Sequence, residues 1–143
     1  MDIGLVGVGT MGILVVSTLV KAGYRVVACD VDPHSLQRAQ ELGAIPADCP
    51  QTVAEQTEII LLVLPGPPQV EAVVTGDHGL LAGAQSGQAI VDMSTVDPAT
   101  TRRMGVRAGE IGVNYLDAPI LGRPSALGHW ALPVGGDAAA VAH

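Results

Sequence analysis

Short apolar runs alternate with longer stretches of mixed polarity along most of this chain. The runs carry branched apolar residues at consecutive positions, a pattern typical of strands that are buried on both faces of a sheet. They predict strands at residues 3–8, 25–30, 44–45, 58–64, 88–93 and 114–118, with a further strand at 132–134.

The intervening stretches predict helices, and several of them carry start and stop signals. Asp32-Pro33 and Asp97-Pro98 each combine an N-cap residue with a proline at the first helical position. Gly23 suits the left-handed position that follows the end of a helix. Helices are expected at residues 13–22, 33–42, 51–56, 70–74 and 98–108, with one more beginning after residue 137. The remaining segments are expected to form a rigid turn at 66–68 and a glycine-rich connection at 76–87.

Strands that alternate with helices indicate a parallel sheet, because each connection between strands is too long for a hairpin. Right-handed crossovers then place helices on both faces of the sheet. We therefore predict a doubly wound, mostly parallel α/β sheet of the Rossmann type, in which residues 1–143 form a single domain. In such a sheet a ligand binds outside the carboxyl ends of the strands.

Composition and charge narrow the possible partners. A hydrophobic fraction of 48% with 15% charged residues predicts a packed globular domain. The net charge of −7 argues against a nucleic-acid partner, and the arginines between residues 102 and 107 are interpreted as a solvated helix face. The apolar runs are too short to cross a membrane, and no signal peptide is visible. Cys29 and Cys49 lack the spacing of a metal site, so no metal is predicted, and a reduced core thiol favours a cytoplasmic location.

The first predicted strand runs directly into a glycine turn, Gly7-Val8-Gly9-Thr10-Met11-Gly12, and then into a helix. In a turn of this kind, the first glycine permits the tight bend and the second lets a pyrophosphate approach the backbone. The third glycine allows the helix to pack closely on the strand. The first N–H groups of that helix have no intrahelical partner, so they can bind an anion. We therefore expect residues 7–12 to hold the pyrophosphate of a dinucleotide.

Asp30 ends the second predicted strand, about twenty residues beyond the glycine turn. A carboxylate at this position accepts hydrogen bonds from the adenosine ribose and repels a 2′-phosphate, which favours NAD over NADP. Val31, the next residue, is also expected to bind the cofactor. The alternative is a solvated aspartate or a helix cap, and Arg25 and Arg38 could still reach a phosphate.

Two other strand ends carry candidate cofactor-binding residues, Leu64-Pro65 and Ser94-Thr95. A stiff loop at Leu64-Pro65 would pack against the ribose and nicotinamide, although the proline could serve only to end the strand. The hydroxyls of Ser94 and Thr95 could cap the helix that begins near Asp97, contact the cofactor, or do both.

These motifs together resemble the cofactor domain of the β-hydroxyacid dehydrogenase family, which includes 3-hydroxyisobutyrate, tartronate-semialdehyde and 6-phosphogluconate dehydrogenases. Met11 within the glycine turn and the D-M-S-T of residues 92–95 make the match more specific than the glycines alone. The matching segments are GLVGVGTMG (4–12), ILLVLPGPPQVEAV (60–73), IVDMSTVDPATTR (90–102), YLDAPILG (115–122) and VGGD (134–137).

The resemblance implies hydride transfer between a nicotinamide cofactor and a small β-hydroxyacid. It implies that residues 8–12 hold the pyrophosphate, that Asp30 holds the ribose, and that Leu64, Pro65 and Thr95 lie on the nicotinamide side.

The family binds the substrate carboxylate with a D-A-P-V-S-G-G segment, and this chain departs from that pattern. Residues 117–123 read DAPILGR, so Leu121 stands at the serine position and Arg123 at the final glycine. Substrate binding by Leu121, Gly122 and Arg123 would depend on backbone N–H groups or on the guanidinium, which suits a carboxylate. A surface arginine is the alternative, and the departure admits a bulkier or less acidic substrate. His129 and Trp130 are interpreted as a packed loop pair and not as catalytic groups.

The family's proton-donating lysine lies in a helical second domain, which also mediates dimerisation and is expected to be absent from this chain. Lys21 lies at the far end of the first predicted helix, so no catalytic residue is assigned. We expect a chain that binds a dinucleotide, turns over little substrate alone, and self-associates through an apolar face left by the missing domain. The alternatives are a cofactor domain of the imine-reductase type and a non-catalytic nucleotide-binding or interaction module.

Overall fold

The computed structural model describes residues 1–142, which form one six-stranded parallel sheet with helices on both faces. The strands are β1 (Asp2–Val6), β2 (Arg25–Cys29), β3 (Ile45–Pro46), β4 (Ile59–Leu62), β5 (Ala89–Asp92) and β6 (Asn114–Asp117). The helices are α1 (Gly12–Lys21), α2 (Pro33–Glu41), α3 (Pro50–Gln56), α4 (Pro67–Thr75), α5 (Leu80–Gly83), α6 (Pro98–Gly109) and α7 (Ala138–Val141). The strand order β3-β2-β1-β4-β5-β6 confirms the predicted doubly wound α/β fold.

β1 lies at the centre of the sheet, where the direction of strand addition reverses. It pairs with β2 on one side and with β4 on the other, so that Leu5 lies opposite Ala28 and Leu61. Helices that follow β1 and β4 leave the sheet on opposite faces, which opens a crevice above the carboxyl ends of these two strands.

Hydrogen bonds at the helix ends confirm the predicted start and stop signals. The carboxylate of Asp32 accepts hydrogen bonds from two backbone N–H groups in the first turn of α2, and Asp97 accepts one in α6. Asp137 caps α7 in the same way. Gly23 follows α1 with a φ of 89°, in the left-handed region that favours glycine.

The prediction of a seventh strand at residues 132–134 is wrong. Residues 132–134 form no ladder hydrogen bonds, and Pro133 has no N–H group with which to donate one. The chain on either side forms only isolated antiparallel bridges, between Leu121 and Ala131 and between Asp117 and Gly135.

The prolines predicted to form a separate turn at residues 66–68 instead begin a helix. Pro67 and Pro68 occupy the first turn of α4, where backbone N–H groups have no intrahelical partner and a proline therefore removes no hydrogen bond. The glycine-rich connection at 76–87 also contains the short helix α5, which forms around the fully buried Leu80.

Apolar side chains form one core cluster on each face of the sheet. Alternate residues of β1 point to opposite clusters, Leu5 toward α1 and α2 and Val6 toward α3, α4 and α6. Ile60, Leu62 and Ile90 are completely buried in the second of these clusters. Because both faces are covered, the central strands read as continuous apolar runs in the sequence.

No helix within residues 1–142 is long and apolar enough to cross a bilayer. The last part of the described chain nevertheless exposes several large apolar side chains, those of Leu121, Leu127, Leu132, Val134 and Val141. Such exposure is compatible with the expected self-association, which stays a prediction.

We expect Leu62→Ala to lower the free energy of unfolding by about 2–5 kcal/mol, because a fully buried leucine leaves a cavity when it is truncated. Leu132→Ala is the matched control, since this leucine is 44% exposed and its loss should cost less than about 0.5 kcal/mol. Urea unfolding followed by circular dichroism measures both values. Equal losses in the two variants would contradict the assignment of Leu62 to the core.

Candidate functional site

The glycine turn between β1 and α1 lies at the carboxyl edge of the sheet. Gly7 has a φ of 94°, and a side chain there would run into the backbone carbonyl of Val63. A side chain at Gly12 would collide with the carbonyl oxygen of Gly7. The fold itself therefore requires both glycines, one for the bend and one for the close packing of α1 on β1.

Gly9 is different, because no packing requirement explains its lack of a side chain. It is exposed, its φ lies outside the left-handed region, and no atom lies within 4 Å of the position that a Cβ would take. An open cradle beside the start of a helix is what a pyrophosphate needs if it is to approach the backbone. The residues present thus fit a dinucleotide.

The start of α1 also has free hydrogen-bond donors. No side chain caps this helix, and the N–H of Ile13 is the first to be bonded within it, to the carbonyl of Gly9. In the described part of the chain, the N–H groups of residues 9–12 donate no hydrogen bond. Together with the helix dipole, these donors make a site for an anion.

Asp30 lies directly beside the glycine turn, as its position after β2 predicts. Its Oδ2 accepts a hydrogen bond of 2.5 Å from the N–H of Val8, and its Oδ1 accepts one of 2.8 Å from the N–H of Asp32. The half-buried carboxylate therefore fixes the backbone of the turn, a role that the sequence pattern does not show. Val31 is fully exposed and makes no such contact.

The strand ends of β4 and β5 are joined by a side chain. Ser94 is buried, and its Oγ accepts a hydrogen bond of 2.9 Å from the N–H of Leu64. Of the two alternatives for Ser94 and Thr95, the capping of α6 is wrong, because Asp97 fills that position as its Asp-Pro pair predicts. Pro65 and Thr95 are exposed at the edge, where both remain accessible to a ligand.

The sequence patterns do not single out Asp92 as a site residue, although it belongs to the D-M-S-T segment. Its carboxylate is completely buried at the end of β5. Oδ1 accepts a hydrogen bond of 2.9 Å from the N–H of Ser94, and Oδ2 accepts one of 2.7 Å from the hydroxyl of Tyr115. Burial and the adjacent Asp92 raise the pKa of Tyr115 well above its usual value, so this hydroxyl remains a donor.

Asp117 lies opposite Asp92 in the register of β5 and β6. Burial, followed by the proximity of Asp92, raises the pKa of the Asp117 carboxyl above its ordinary value. Two acidic side chains therefore lie side by side at this end of the sheet.

The segment of residues 121–123 lies on an exposed loop after β6. The N–H of Leu121 donates to the carbonyl of Ala131 at 2.9 Å, so it is not free to bind a substrate. Gly122 is required by packing, because a side chain there would collide with the indole of Trp130. Arg123 is exposed, and its carbonyl accepts a hydrogen bond of 2.9 Å from Nε1 of Trp130.

Trp130 also packs against the core cluster on the α1 face of the sheet, which confirms it as a packed loop residue. His129 is exposed. The loop is therefore held on the side of the sheet that carries the glycine turn.

Two surface depressions lie away from the carboxyl edge. One, of about 490 Å³, lies at the amino ends of β1, β4 and β5. The other, of about 470 Å³, lies between α4 and α6 and is lined by the exposed Arg102, Arg103 and Arg107. Arg103 forms an ion pair with Glu71, which supports the interpretation of these arginines as a solvated helix face. Neither depression contains the free backbone donors found at the glycine turn.

No group of three potential metal ligands occurs within residues 1–142. Cys29 and Cys49 are both free thiols. Burial is the main reason why the pKa of Cys29 is raised to about 11, which keeps it protonated and unreactive at neutral pH.

Comparison with known proteins shows the family to which the chain belongs. The sequence profile of the NAD-binding domain of 6-phosphogluconate dehydrogenase matches residues 2–143. The chain belongs to this family. It is thus an NAD-binding domain of the β-hydroxyacid dehydrogenase type, as the sequence motifs predict.

Similar proteins include dehydrogenases and reductases of small hydroxyacids. L-threonate dehydrogenase from Cupriavidus necator is 36% identical over 121 residues, which cover 85% of this chain and 41% of that protein. 2-Hydroxy-3-oxopropionate reductase from Escherichia coli is 34% identical over 141 residues, covering 97% of this chain and 48% of the relative. The chain therefore spans about half the length of the curated relatives it matches.

Solved structures share the fold. 3-Hydroxyisobutyrate dehydrogenase from Mycobacterium tuberculosis superposes with a TM-score of 0.93 at 26% identity, over 99% of this NAD-binding domain and 48% of that chain. An imine reductase variant from Myxococcus stipitatus with NAD⁺ superposes at 0.88, with 23% identity over 96% of this chain and 47% of the other. The imine reductase from that organism with NADP⁺ superposes at 0.91, with 22% identity over 99% and 49%. Structures of this fold thus include complexes with both cofactors.

We expect Gly9→Ala to weaken NAD⁺ binding at least about tenfold, because the methyl group would enter the open cradle without disturbing the fold. Gly12→Ala should instead destabilise the domain by about 1–3 kcal/mol, because its Cβ would displace the Gly7 carbonyl. Isothermal titration calorimetry and thermal unfolding of both variants separate the two effects. Unchanged NAD⁺ affinity in a folded Gly9→Ala variant would show that the cradle does not hold the cofactor.

Proposed function

We propose that this domain holds the dinucleotide of a β-hydroxyacid dehydrogenase across the carboxyl ends of β1, β2, β4 and β5. The observation that carries the proposal is the row of free N–H groups at residues 9–12, beside the open space at Gly9 and the carboxylate of Asp30. The donors suit the pyrophosphate, and the carboxylate suits the adenosine ribose.

The nicotinamide half would then lie beyond β4 and β5. Leu64 and Pro65 would line one side, and the exposed Thr95 would supply a hydroxyl on the other. Ser94 supports this wall from behind, because its hydroxyl is already bonded to the N–H of Leu64. Bound nicotinamide would supply the hydride acceptor or donor, while the residues of this chain bind and orient it.

We propose NAD as the preferred cofactor because the β2–α2 junction is unfavourable for a 2′-phosphate. Asp30 and Asp32 place two carboxylates there, and the N–H groups that begin α2 already donate to Asp32. Arg38 could offer a compensating charge, but its guanidinium donates to the hydroxyl of Ser35. A phosphate at this junction would therefore meet the negative charge of two carboxylates.

We expect NAD⁺ to bind at least about tenfold more tightly than NADP⁺, a difference of about 1.4 kcal/mol. Asp30→Asn should reduce this ratio, because it removes the charge but keeps an oxygen that can accept from Val8. Asp32→Asn is the comparison: it removes the second negative charge, but we expect a smaller change in the ratio because the Asp32 carboxylate is turned toward the first turn of α2, which it caps. Calorimetric titration of the three proteins with both cofactors gives the ratio. Tighter binding of NADP⁺ by the unmodified domain would refute the role of Asp30, and binding of neither would favour a non-catalytic module.

For the whole protein we propose hydride transfer with a small β-hydroxyacid, with Arg123 as a candidate partner of its carboxylate. The exposed guanidinium can form two parallel hydrogen bonds with a carboxylate, which Leu121 cannot. The names of the curated relatives support this substrate class. The imine-reductase alternative is supported by the departure at Leu121 and by the shared fold.

Hydride transfer to a carbonyl leaves an alkoxide that needs a proton donor. Lys21 ends α1, at the opposite end of that helix from the glycine turn, and cannot serve. We therefore expect the 143-residue chain to bind NAD⁺ but to show no turnover above background with small β-hydroxyacids or with cyclic imines. The absorbance of NADH measures both reactions, as its formation from saturating NAD⁺ with a β-hydroxyacid and as its consumption with a cyclic imine. Robust oxidation of a β-hydroxyacid would show that residues 1–143 already contain a catalytic group, and robust imine reduction would favour the alternative.

A further inference from the structure

The carboxylate of Asp92 is the most deeply buried charge-bearing group in the described chain. It has 0% exposure, and none of the ion pairs formed within residues 1–142 includes it. Asp117 lies opposite it in the strand register and adds a second acidic group. Burying a carboxylate without a cation is costly, so an apolar residue would suit the core better if packing were its only role.

The hydrogen bonds of Asp92 connect the ends of three adjacent strands. Tyr115 of β6 donates its hydroxyl proton to Oδ2, and the N–H of Ser94, just beyond β5, donates to Oδ1. The hydroxyl of Ser94 in turn accepts from the N–H of Leu64, just beyond β4. Backbone N–H groups at strand ends have left the regular ladder, and these side chains supply their missing partners.

This network ends where the exposed edge begins. The half-buried Leu64 directly precedes Pro65, and the buried Ser94 directly precedes Thr95. Pro65 and Thr95 are both exposed on the proposed nicotinamide side. The position of both exposed residues therefore depends on backbone that the Asp92 network holds.

We propose that Asp92 is a positioning residue for the nicotinamide half of the cofactor site, acting through Ser94 on the turns that carry Pro65 and Thr95. This inference rests on the proposed dinucleotide function. Asp30 holds the glycine turn on the adenosine side through Val8, and its hydrogen bonds share no residue with those of Asp92. The two halves of the site are thus organised by separate carboxylates.

The separation leads to a selective test with two ligands. ADP-ribose contains the adenosine, pyrophosphate and second ribose but lacks nicotinamide, whereas NAD⁺ contains both halves. Asp92→Asn should weaken NAD⁺ binding by about three- to tenfold, the range that corresponds to the net value of one or two hydrogen bonds. It should leave ADP-ribose binding within about twofold.

Ser94→Ala is the second variant, because it removes only the hydroxyl that accepts from Leu64. Ser94→Ala should show the same selective loss of NAD⁺ affinity. If Asp92→Asn does not fold, this variant alone tests the proposed positioning role. Asp117→Asn is the matched control: it neutralises the neighbouring carboxyl, which makes no hydrogen bond in the network, and should change neither affinity. Circular dichroism and thermal unfolding establish that each variant is folded.

The two proposals fail in different ways. If the unmodified chain binds neither ADP-ribose nor NAD⁺, the proposed function is wrong. If it binds both, and folded Asp92→Asn and Ser94→Ala lose equal affinity for the two ligands or lose none, the positioning role of Asp92 is overturned. A selective loss of NAD⁺ affinity in both variants, with Asp117→Asn unchanged, supports it.

Discussion

The close approach of α1 to β1 is the contact on which the rest of the site depends. Gly12 lies against the carbonyl of Gly7, and Gly7 lies against the carbonyl of Val63 at the end of β4. Two backbone-to-backbone contacts thus bring the start of α1 over the centre of the sheet. Any side chain at these positions would push the helix away, and its free N–H groups would no longer face the crevice between β1 and β4.

Around this contact, acidic side chains organise the loops by accepting hydrogen bonds from the backbone. Asp30 binds the N–H of Val8, and Asp92 binds the N–H of Ser94. Hydrogen bonds of the same kind occur at the start of α2 and α6, where Asp32 and Asp97 cap the first turn. Asp30 and Asp92 lie at strand ends of a parallel sheet, where the regular ladder stops and backbone donors need other partners. Acidic side chains of this chain therefore stabilise the loops at the edge where the cofactor is proposed to bind.

The substrate side of the edge is less regular than the cofactor side. The loop that contains Leu121 and Arg123 forms no regular strand, and it is held by isolated bridges, one of them to Asp117 at the end of β6, and by Trp130. Loops of this kind tolerate changes in sequence more readily than strand ends do. That difference explains how the chain retains the glycine turn and the D-M-S-T segment of its family while it departs from the family at Leu121 and Arg123.

Much of the fold follows from local sequence signals, because buried parallel strands need continuous apolar runs and helix starts need specific capping residues. The runs around Leu5 and Ile60 and the Asp-Pro pairs therefore predicted the strands and the helix starts directly, and the glycine turn predicted the free N–H groups at the start of α1. The false strand at residues 132–134 shows where local apolar content misleads, since only the tertiary structure shows that this segment pairs with no strand and that the bridges lie on either side of it.

The glycine turn and Asp30 could be placed together from the sequence alone, because the carboxyl ends of neighbouring parallel strands must meet at one edge. Which atoms bond there could not be predicted. The locking of Val8 by Asp30, the linkage of Ser94 to Leu64 and the burial of Asp92 against Tyr115 all join residues that are at least 22 positions apart. Such bonds depend on strand register and side-chain direction, which arise only when the strands are assembled into the sheet.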